Sequence, residues 1–283
     1  MIACTRISDI KNQLTASRRK KKTIGFVPTM GAFHEGHLEL IRRSKNENDL
    51  TVCSIFINPI QFNNANDLSN YPRMLEQDKK ILTKEGVELL FAPEAEEMYP
   101  PGEKQDLDLD LGRLDRVMEG EHRPGHFKGV IIVVKKLLDI IEPTRAYFGK
   151  KDFQQLIIIE HMVRALHLRV KVVACETFRE PDGLAMSSRN LQLTIGERQL
   201  ASKIYDVLMY TKANAGSVPV QKLQLISLKR LVEIPEFRVE YFKIVNKRTL
   251  LPVDTWDDPE EIIACTALYL GDIRLIDNME LFS

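Results

Sequence analysis

Thr23-Ile-Gly-Phe-Val-Pro-Thr-Met-Gly-Ala-Phe-His-Glu-Gly-His-Leu-Glu-Leu40 is the stretch on which the reading of this chain turns. It opens as a buried strand over 23–28, with Ile24, Phe26 and Val27 forming an apolar run after a basic cluster. Pro28 ends the ladder, because it has no N–H to give and a fixed φ. Gly31 and Gly36 let the backbone turn closely, and Leu38 and Ile41 resume at helical spacing, so a helix begins near 37. A strand that feeds a glycine-bearing turn and then a helix leaves unpaired N–H groups and a positive dipole end at the helix start. That arrangement binds phosphate. His34 and His37 stand three residues apart, close enough in a helical turn to face one anion together. His-x-Gly-His alone also fits two surface histidines at a helix start; the strand before it and the glycines around it favour the anion site.

On either side of this stretch, strands and helices alternate. Residues 1–22 read as a short helix carrying Ile7, Ile10 and Leu14, followed by a basic loop. After the helix from 37 come a strand over 51–57, a helix near 73–85 ending at Gly86, and a strand over 87–91. The segment 106–120 holds short acidic repeats with leucines; 130–141 is a strongly apolar helix. A strand over 145–148, a helix over 152–166 and a strand over 168–175 follow. Such alternation predicts βαβ units and a parallel sheet covered on both faces, with ligands at the carboxyl ends of its strands. After Arg189 the pattern changes to helices near 196–212 and 219–232, then strands near 237–245, 262–270 and 273–277. The fold expected is α/β, a Rossmann-like doubly wound parallel sheet over 1–182, with a smaller α+β domain over 183–283. Residues 183–190 would link the two.

A chain of 283 residues has ample length for a core, and 44% hydrophobic with 28% charged residues describes an ordinary globular protein. Lys plus Arg and Asp plus Glu are both 40, so the net charge is zero and no basic field gathers nucleic acid. The basic run from Arg18 to Lys22 has no aromatic residue interleaved and reads as a solvated loop. Cys4, Cys53, Cys175 and Cys265 lie far apart with no CxxC pair, which predicts buried free thiols, a reducing compartment and a cytoplasmic protein. The N-terminal residues Arg6, Asp9 and Lys11 break any signal-peptide h-region, and no stretch reaches the ~18 apolar residues of a membrane span.

Five further stretches carry candidate chemistry. Phe56-Ile-Asn-Pro-Ile-Gln-Phe62 leaves a strand and offers the amides of Asn58 and Gln61, which both donate and accept and so suit a small hydroxy acid; an Asn-Pro turn with a solvated Gln is the alternative. Tyr71-Pro-Arg73 starts a helix and says little alone. In Glu119-Gly-Glu-His-Arg-Pro-Gly-His-Phe-Lys-Gly129, His122 and His126 have the i,i+4 spacing of a metal pair. Pro124-Gly125 between them forbids the helix that pair needs, and zinc-spaced partners are missing, so an ordered loop with Arg123 facing an anion is expected. Phe148-Gly-Lys-Lys-Asp-Phe-Gln-Gln155 ends a strand at Gly149, places Lys150 and Lys151 at the turn, and offers Asp152 as the cap of the next helix. Those lysines neutralise phosphate or simply face water. Ala185-Met-Ser-Ser-Arg-Asn190 brings two hydroxyls and a guanidinium into one loop, and Arg suits bidentate phosphate recognition. No GxxxxGK[ST] pattern occurs, which argues against a P-loop enzyme.

The His-x-Gly-His stretch resembles the signature shared by nucleotidyltransferases and class I aminoacyl-tRNA synthetases, and 185–190 resembles their mobile KMSKS-type loop. The fuller string Pro28-Thr-Met-Gly-Ala-Phe-His-Glu-Gly-His37, with the other stretches in order down to Arg274-Leu-Ile-Asp-Asn278, resembles the pantothenate synthetase (pantoate–β-alanine ligase) family over essentially the whole chain. Two departures are visible: Phe33 stands where leucine is more usual, and Phe178 where a smaller aliphatic residue often contacts adenine.

The resemblance implies a cytoplasmic, homodimeric ligase of pantothenate biosynthesis, supplying the precursor of coenzyme A. Pantoate attacks the α-phosphate of ATP, pyrophosphate leaves, and the amine of β-alanine then displaces AMP from pantoyl adenylate. It implies His34, His37, Lys151 and Arg189 as the catalytic set. Nucleotide contacts would come from Met30, Gly31, His34, Gly36, His37, Gly149, Lys150, Lys151, Asp152, Phe178, Met186, Ser187, Ser188 and Arg189. Gln61, Gln155, Asn58 and Arg123 would hold pantoate and β-alanine. Mg²⁺ would arrive with ATP near Asp152 rather than in a protein cluster. The 185–190 loop and the second domain would form a lid over the acyl adenylate. No nucleic acid or membrane partner is implied. Another nucleotidyltransferase of the superfamily, or a non-catalytic nucleotide sensor, is the competing reading. A short class I synthetase is disfavoured, since the chain has no anticodon-binding extension.

Overall fold

The structure is a computed structural model that describes residues 1–63 and 65–282. The chain divides into two compact units. The first comprises Met1–Leu111, Pro124–Lys150 and Ile158–Glu176; the second comprises Gly112–Arg123, Lys151–Ile157 and Thr177–Ser283. The single cut expected between 182 and 183 is therefore replaced by a chain that crosses between units several times. The expected linker 183–190 lies inside the second unit.

The first unit holds a six-stranded, wholly parallel sheet. Its strands are β1 (Ile2–Cys4), β2 (Ile24–Thr29), β3 (Leu50–Ile55), β4 (Leu89–Phe91), β5 (Arg145–Gly149) and β6 (Lys171–Cys175), in the order β1-β4-β3-β2-β5-β6. Helices α1 (Ile7–Arg19), α2 (Glu35–Glu47), α3 (Ala65–Asn70), α4 (Leu75–Lys84) and α5 (Ala95–Met98) accompany the first four strands. Both sheet faces are buried, as parallel sheets require. On one face Val27, Cys53, Leu90, Tyr147 and Val173 meet Leu38 and Ile41 of α2 and Leu82 of α4. Alternate residues Phe26, Val52 and Ala146 point the other way and are equally buried. The helix expected over 130–141 begins earlier, as α7 (His126–Ile141), after the short α6 (Glu119–His122). Left-handed Gly125 separates the two, so Pro124-Gly125 does break the helix.

The order of strands reverses between β2 and β5, and there the sheet parts. β2 pairs with β3 along its whole length and β5 with β6 along its whole length. β2 and β5 pair only at Gly25–Arg145 and Phe26–Ala146. Pro28 thus does not end β2, which runs on to Thr29 beside β3; its missing N–H falls where β5 has already left. A crevice at the carboxyl ends of such strands is where ligands of this architecture bind.

Between the strands β5 and β6 runs α8 (Phe153–Ala165). The second unit packs α9 (Ile195–Ala201), α10 (Lys203–Asn214) and α11 (Val220–Val232) with an antiparallel sheet of β7 (Phe237–Asn246), β8 (Ile262–Leu270) and β9 (Ile273–Glu280), in that order. Leu208, Leu223, Leu231, Ile244, Ala264 and Leu268 lie at the centre of its core. The helix expected over 196–212 is two, divided at Ser202. All four cysteines are free and buried. Among the described residues no helix is long and apolar enough to cross a membrane.

Candidate active site

In the first unit the turn after β2 is made by Gly31 (φ +83°) and Ala32 (φ +53°), both left-handed. Gly36 does not turn the chain, contrary to expectation; it sits within the first turn of α2 and has no positive φ. His34 is the extended N-cap residue, and its carbonyl accepts from the N–H groups of His37 (2.8 Å) and Leu38 (3.2 Å). This brings the two imidazoles together as the spacing predicted: they stack with ring centroids 4.0 Å apart at 30°. Phe33 abuts His37 edge-on at 5.4 Å, so the residue that departs from the usual leucine packs against the histidine pair.

The carboxylate of Asp78, on α4, fills the inside of that turn. Its Oδ2 accepts the Ala32 N–H (2.9 Å) and its Oδ1 the Phe33 N–H (3.0 Å). A β-carbon on Gly31 would come within 2.8 Å of Oδ2, so a side chain there is excluded by contact as well as by φ. Burial raises the pKa of Asp78 above the ordinary carboxylate value, and the two N–H bonds oppose that rise.

Beside this turn, the segment after β3 forms a 3₁₀ turn, Pro59–Gln61. Asn58 is buried and both of its N–H groups are engaged: Nδ2 donates to Gln61 Oε1 (3.0 Å) and Gly129 O (3.1 Å), and Oδ1 accepts from Tyr99 Oη (2.8 Å). Asn58 therefore orients Gln61. With Oε1 so engaged, Gln61 turns Nε2 toward Met30 Sδ at 3.3 Å and presents a donor. His126 Nδ1 lies 2.7 Å from the Gln61 carbonyl oxygen and pins the same turn. Lys150 closes the unit's contribution, with Nζ 2.6 Å from Glu176 Oε1, next to Gly149 at the end of β5.

The second unit gathers the rest. Lys151 and Asp152 lie in a 3₁₀ turn before α8, with Nζ and Oδ1 4.0 Å apart, and Gln155 is half-buried on the first turn of that helix. Residues 178–186 form a narrow hairpin: Met186 N–H donates to the Phe178 carbonyl (3.0 Å), and Arg179 bridges Ala185. The main chain of Phe178 is thus held whatever its side chain. Ser187 caps a 3₁₀ turn, Ser188–Gln192, by accepting the Arg189 N–H, and Asn190 donates to the Ala185 carbonyl. Ser188 is buried and Arg189 half-buried. Arg123 Nη1 stands 3.9 Å from Glu119, whose carboxylate already accepts from Arg274 (2.6 and 2.8 Å) and Tyr241 Oη (2.8 Å). Burial pushes Glu119 up, but Arg274, Tyr241 and Arg123 outweigh it and hold it below the usual range. His122 belongs to this unit, with Nδ1 3.8 Å from Glu240 Oε1, while His126 belongs to the other. Among the described residues no three His, Cys, Asp or Glu side chains converge as metal ligands.

The family described as Pantoate-beta-alanine ligase matches residues 2–280. The chain belongs to the pantoate–β-alanine ligase family. Curated relatives named pantothenate synthetase include that of Bacteroides thetaiotaomicron, 45% identical over 97% of this chain and 96% of the relative. That of Cytophaga hutchinsonii is 42% identical over 99% of each. Among solved structures, pantothenate synthetase from Thermus thermophilus superposes with a TM-score of 0.94 at 41% identity, covering 100% of each chain. Pantoate-beta-alanine ligase from Francisella tularensis, solved with Beta-gamma ATP and Beta-alanine, gives 0.83 at 36% identity over 99% and 98%.

This ligase-family chain also contains residues to which the sequence alone gives no role. Asp78, Tyr99, Glu119, Asp277 and Asn278 each act through a partner between 41 and 155 positions away, and no local pattern announces such pairs. His126 falls in the stretch expected as an ordered loop, but nothing in its spacing shows the Gln61 carbonyl it meets.

Proposed function

We propose that the chain condenses pantoate with β-alanine, using ATP and passing through pantoyl adenylate. The observation that carries this is the stacked His34–His37 pair at the first turn of α2, beside the parting of β2 and β5. Condensing a carboxylate with an amine in water is uphill, so the acid must first be activated. Pantoate's carboxylate attacks the α-phosphorus of ATP and pyrophosphate leaves. The β-alanine amine then attacks the acyl carbon and expels AMP. His34 and His37, with the positive end of α2, stabilise charge on the phosphates as the α-phosphorus becomes five-coordinate.

Gln61 Nε2, aimed by Asn58, and Gln155 hold pantoate's hydroxyl and carboxylate oxygens, and Arg123 attracts the acid. Lys151, Ser187, Ser188 and Arg189 bind the β- and γ-phosphates; Met30, Gly31, Gly36, Gly149, Asp152, Phe178 and Met186 shape the nucleotide's surroundings. Lys150, paired with Glu176, keeps two further N–H donors for a phosphate oxygen. Mg²⁺ is part of the ATP substrate. It takes oxygen ligands, which the phosphates supply, and the exposed Asp152 carboxylate fits beside it. The four buried thiols suit a cytoplasmic, reducing setting. A homodimer completes the reading, and light scattering checks it.

The test is pyrophosphate release from ATP and Mg²⁺ with (R)-pantoate, with and without β-alanine, for wild type and His37→Ala. Pantoate-dependent release is expected, with turnover to AMP and pantothenate only when β-alanine is present. His37→Ala is expected to lower the rate by about 10²-fold or more, the scale of losing one positioned charge stabiliser. A wild type that releases no pyrophosphate with pantoate sinks the assignment.

A further inference from the structure

We propose that Asp277 and Asn278, neighbours on β9, together position the two segments of the second unit assigned to the β- and γ-phosphates: Lys151 and the 186–189 loop. The inference rests on the ATP reading above and deepens it. Asp277 is 3% exposed, and its carboxylate accepts both arms of the Arg179 fork, Nη1 at 2.7 Å and Nη2 at 3.0 Å. The same guanidinium donates to the carbonyls of Gly183 (3.0 Å) and Asn278 (3.1 Å) and lies over the Tyr205 ring, 4.8 Å from its centroid. Arg179 sits in the arm of the hairpin whose other arm runs through Ala185 and Met186 into Ser187. Asp277 therefore fixes the base from which the phosphate loop springs.

Asn278 does the second half. Its Nδ2 donates to the Lys151 carbonyl at 2.9 Å, and its own N–H donates to Asp277 Oδ1 at 2.7 Å. Successive side chains of a strand point to opposite faces, so two neighbours can hold two different segments at once. Both residues stand opposite β8, at Thr266 and Cys265, in a regular ladder. A site built on a strand is held more tightly than one built on loops alone. Burial raises Asp277 most, and Arg179 and then Lys151 act against that, so the Lys151 charge is felt at the same carboxylate. A lysine and an Arg–Ser loop that must close on one polyphosphate need a fixed separation, and this dipeptide is the part common to both.

The experiment compares equilibrium binding of ATP and of AMP, each with Mg²⁺, for wild type, Asn278→Ala, Asp277→Asn, Lys151→Ala and Arg189→Ala. A purely structural role weakens both nucleotides alike; positioning of β- and γ-phosphate groups weakens ATP only. Asn278→Ala is expected to weaken ATP about tenfold and AMP less than about twofold, within what a misplacement of an ångström costs. Asp277→Asn should do the same where it folds, and Asn278→Ala decides the matter where it does not. Equal effects on both nucleotides, or none on ATP, overturn the proposal. If Lys151→Ala and Arg189→Ala themselves fail to separate ATP from AMP, the phosphate assignment fails, and this inference falls with it for that separate reason.

Discussion

A buried carboxylate with no cation paired to it among the described residues is costly, and Asp78 is one. What it gains is two backbone N–H bonds from a turn that holds Ala32 left-handed, where a β-carbon is strained. That turn leads straight into His34. Asp78 is therefore read as holding the histidine stack in place at some expense of stability. Asp78→Asn replaces one acceptor with an NH₂ that faces an N–H, so one of the two bonds is lost. Pantoate-dependent pyrophosphate release in this variant is expected to fall about tenfold or more. The pH dependence of stability has a definite sign. The folded pKa lies above the unfolded value of about 3.9, so the native state binds the extra proton between the two. Wild-type stability relative to Asp78→Asn should decline as pH rises from about 4 through the raised pKa, and stay flat above it. Thermal melts of both proteins across a pH series check this; a difference that grows with pH would contradict it.

At the level of elements, α7 reaches the Pro59–Gln61 turn through Gly129. A β-carbon there would press into the Ile60 carbonyl oxygen and lie 2.7 Å from Gln61 Cα. Alanine improves helix propensity by about 1 kcal/mol, but these contacts are backbone and no rotamer relieves them. Overpacking of this kind costs about 1–3 kcal/mol. Gly129→Ala is thus expected to be net destabilising in denaturant melts and to raise KM for pantoate, because Gln61 must shift with the turn; unchanged KM would refute the link. The same helix shows what was legible in the sequence. Val130, Ile131, Val134, Leu137, Leu138 and Ile141 announce the helix by their spacing, yet the Pro-Gly before His126 hid its true start. The alternation of strands and helices revealed the parallel sheet, because the central strands carry short apolar runs such as Phe26-Val27, Val52-Cys53 and Ala146–Phe148 between helical patterns. The edge strand Ile2–Cys4 stayed invisible: so short a run is too brief for a period, and only pairing with Leu89–Phe91 makes it a strand. At the site, spacing sufficed for His34 and His37. The hydrogen bond from Asn58 that turns Gln61 depends on side-chain geometry that spacing does not contain.

Across the whole molecule, the chain does not devote its first part to one unit and its last to the other. Segments 112–123 and 151–157 belong to the second unit although they precede residue 177. Their ties are strong ones. Glu119, 7% exposed, is neutralised by Arg274 and capped by Tyr241, which stand on β9 and β7 near the end of the chain. Gln154 Nε2 donates to the carbonyls of Leu114 (2.6 Å) and Val117 (2.8 Å), and its Oε1 accepts the Glu119 N–H (3.0 Å). A fragment ending at 176 keeps Glu119 and loses Arg274 and Tyr241. Stripping one partner from a buried pair typically costs about 3–5 kcal/mol, a large share of the roughly 5–15 kcal/mol that stabilises a whole domain. The fragment 1–176 is therefore expected to lack a cooperative melt by circular dichroism and to self-associate on a sizing column, while the full chain melts cooperatively and runs as a discrete species. Glu119→Gln within the fragment removes the stranded charge and should recover part of the transition. A fragment that already melts as sharply as the full chain would mean that 112–123 and 151–157 contribute little to either unit. Recovery by Glu119→Gln would instead locate the defect at this carboxylate, 155 positions from the arginine that normally answers it.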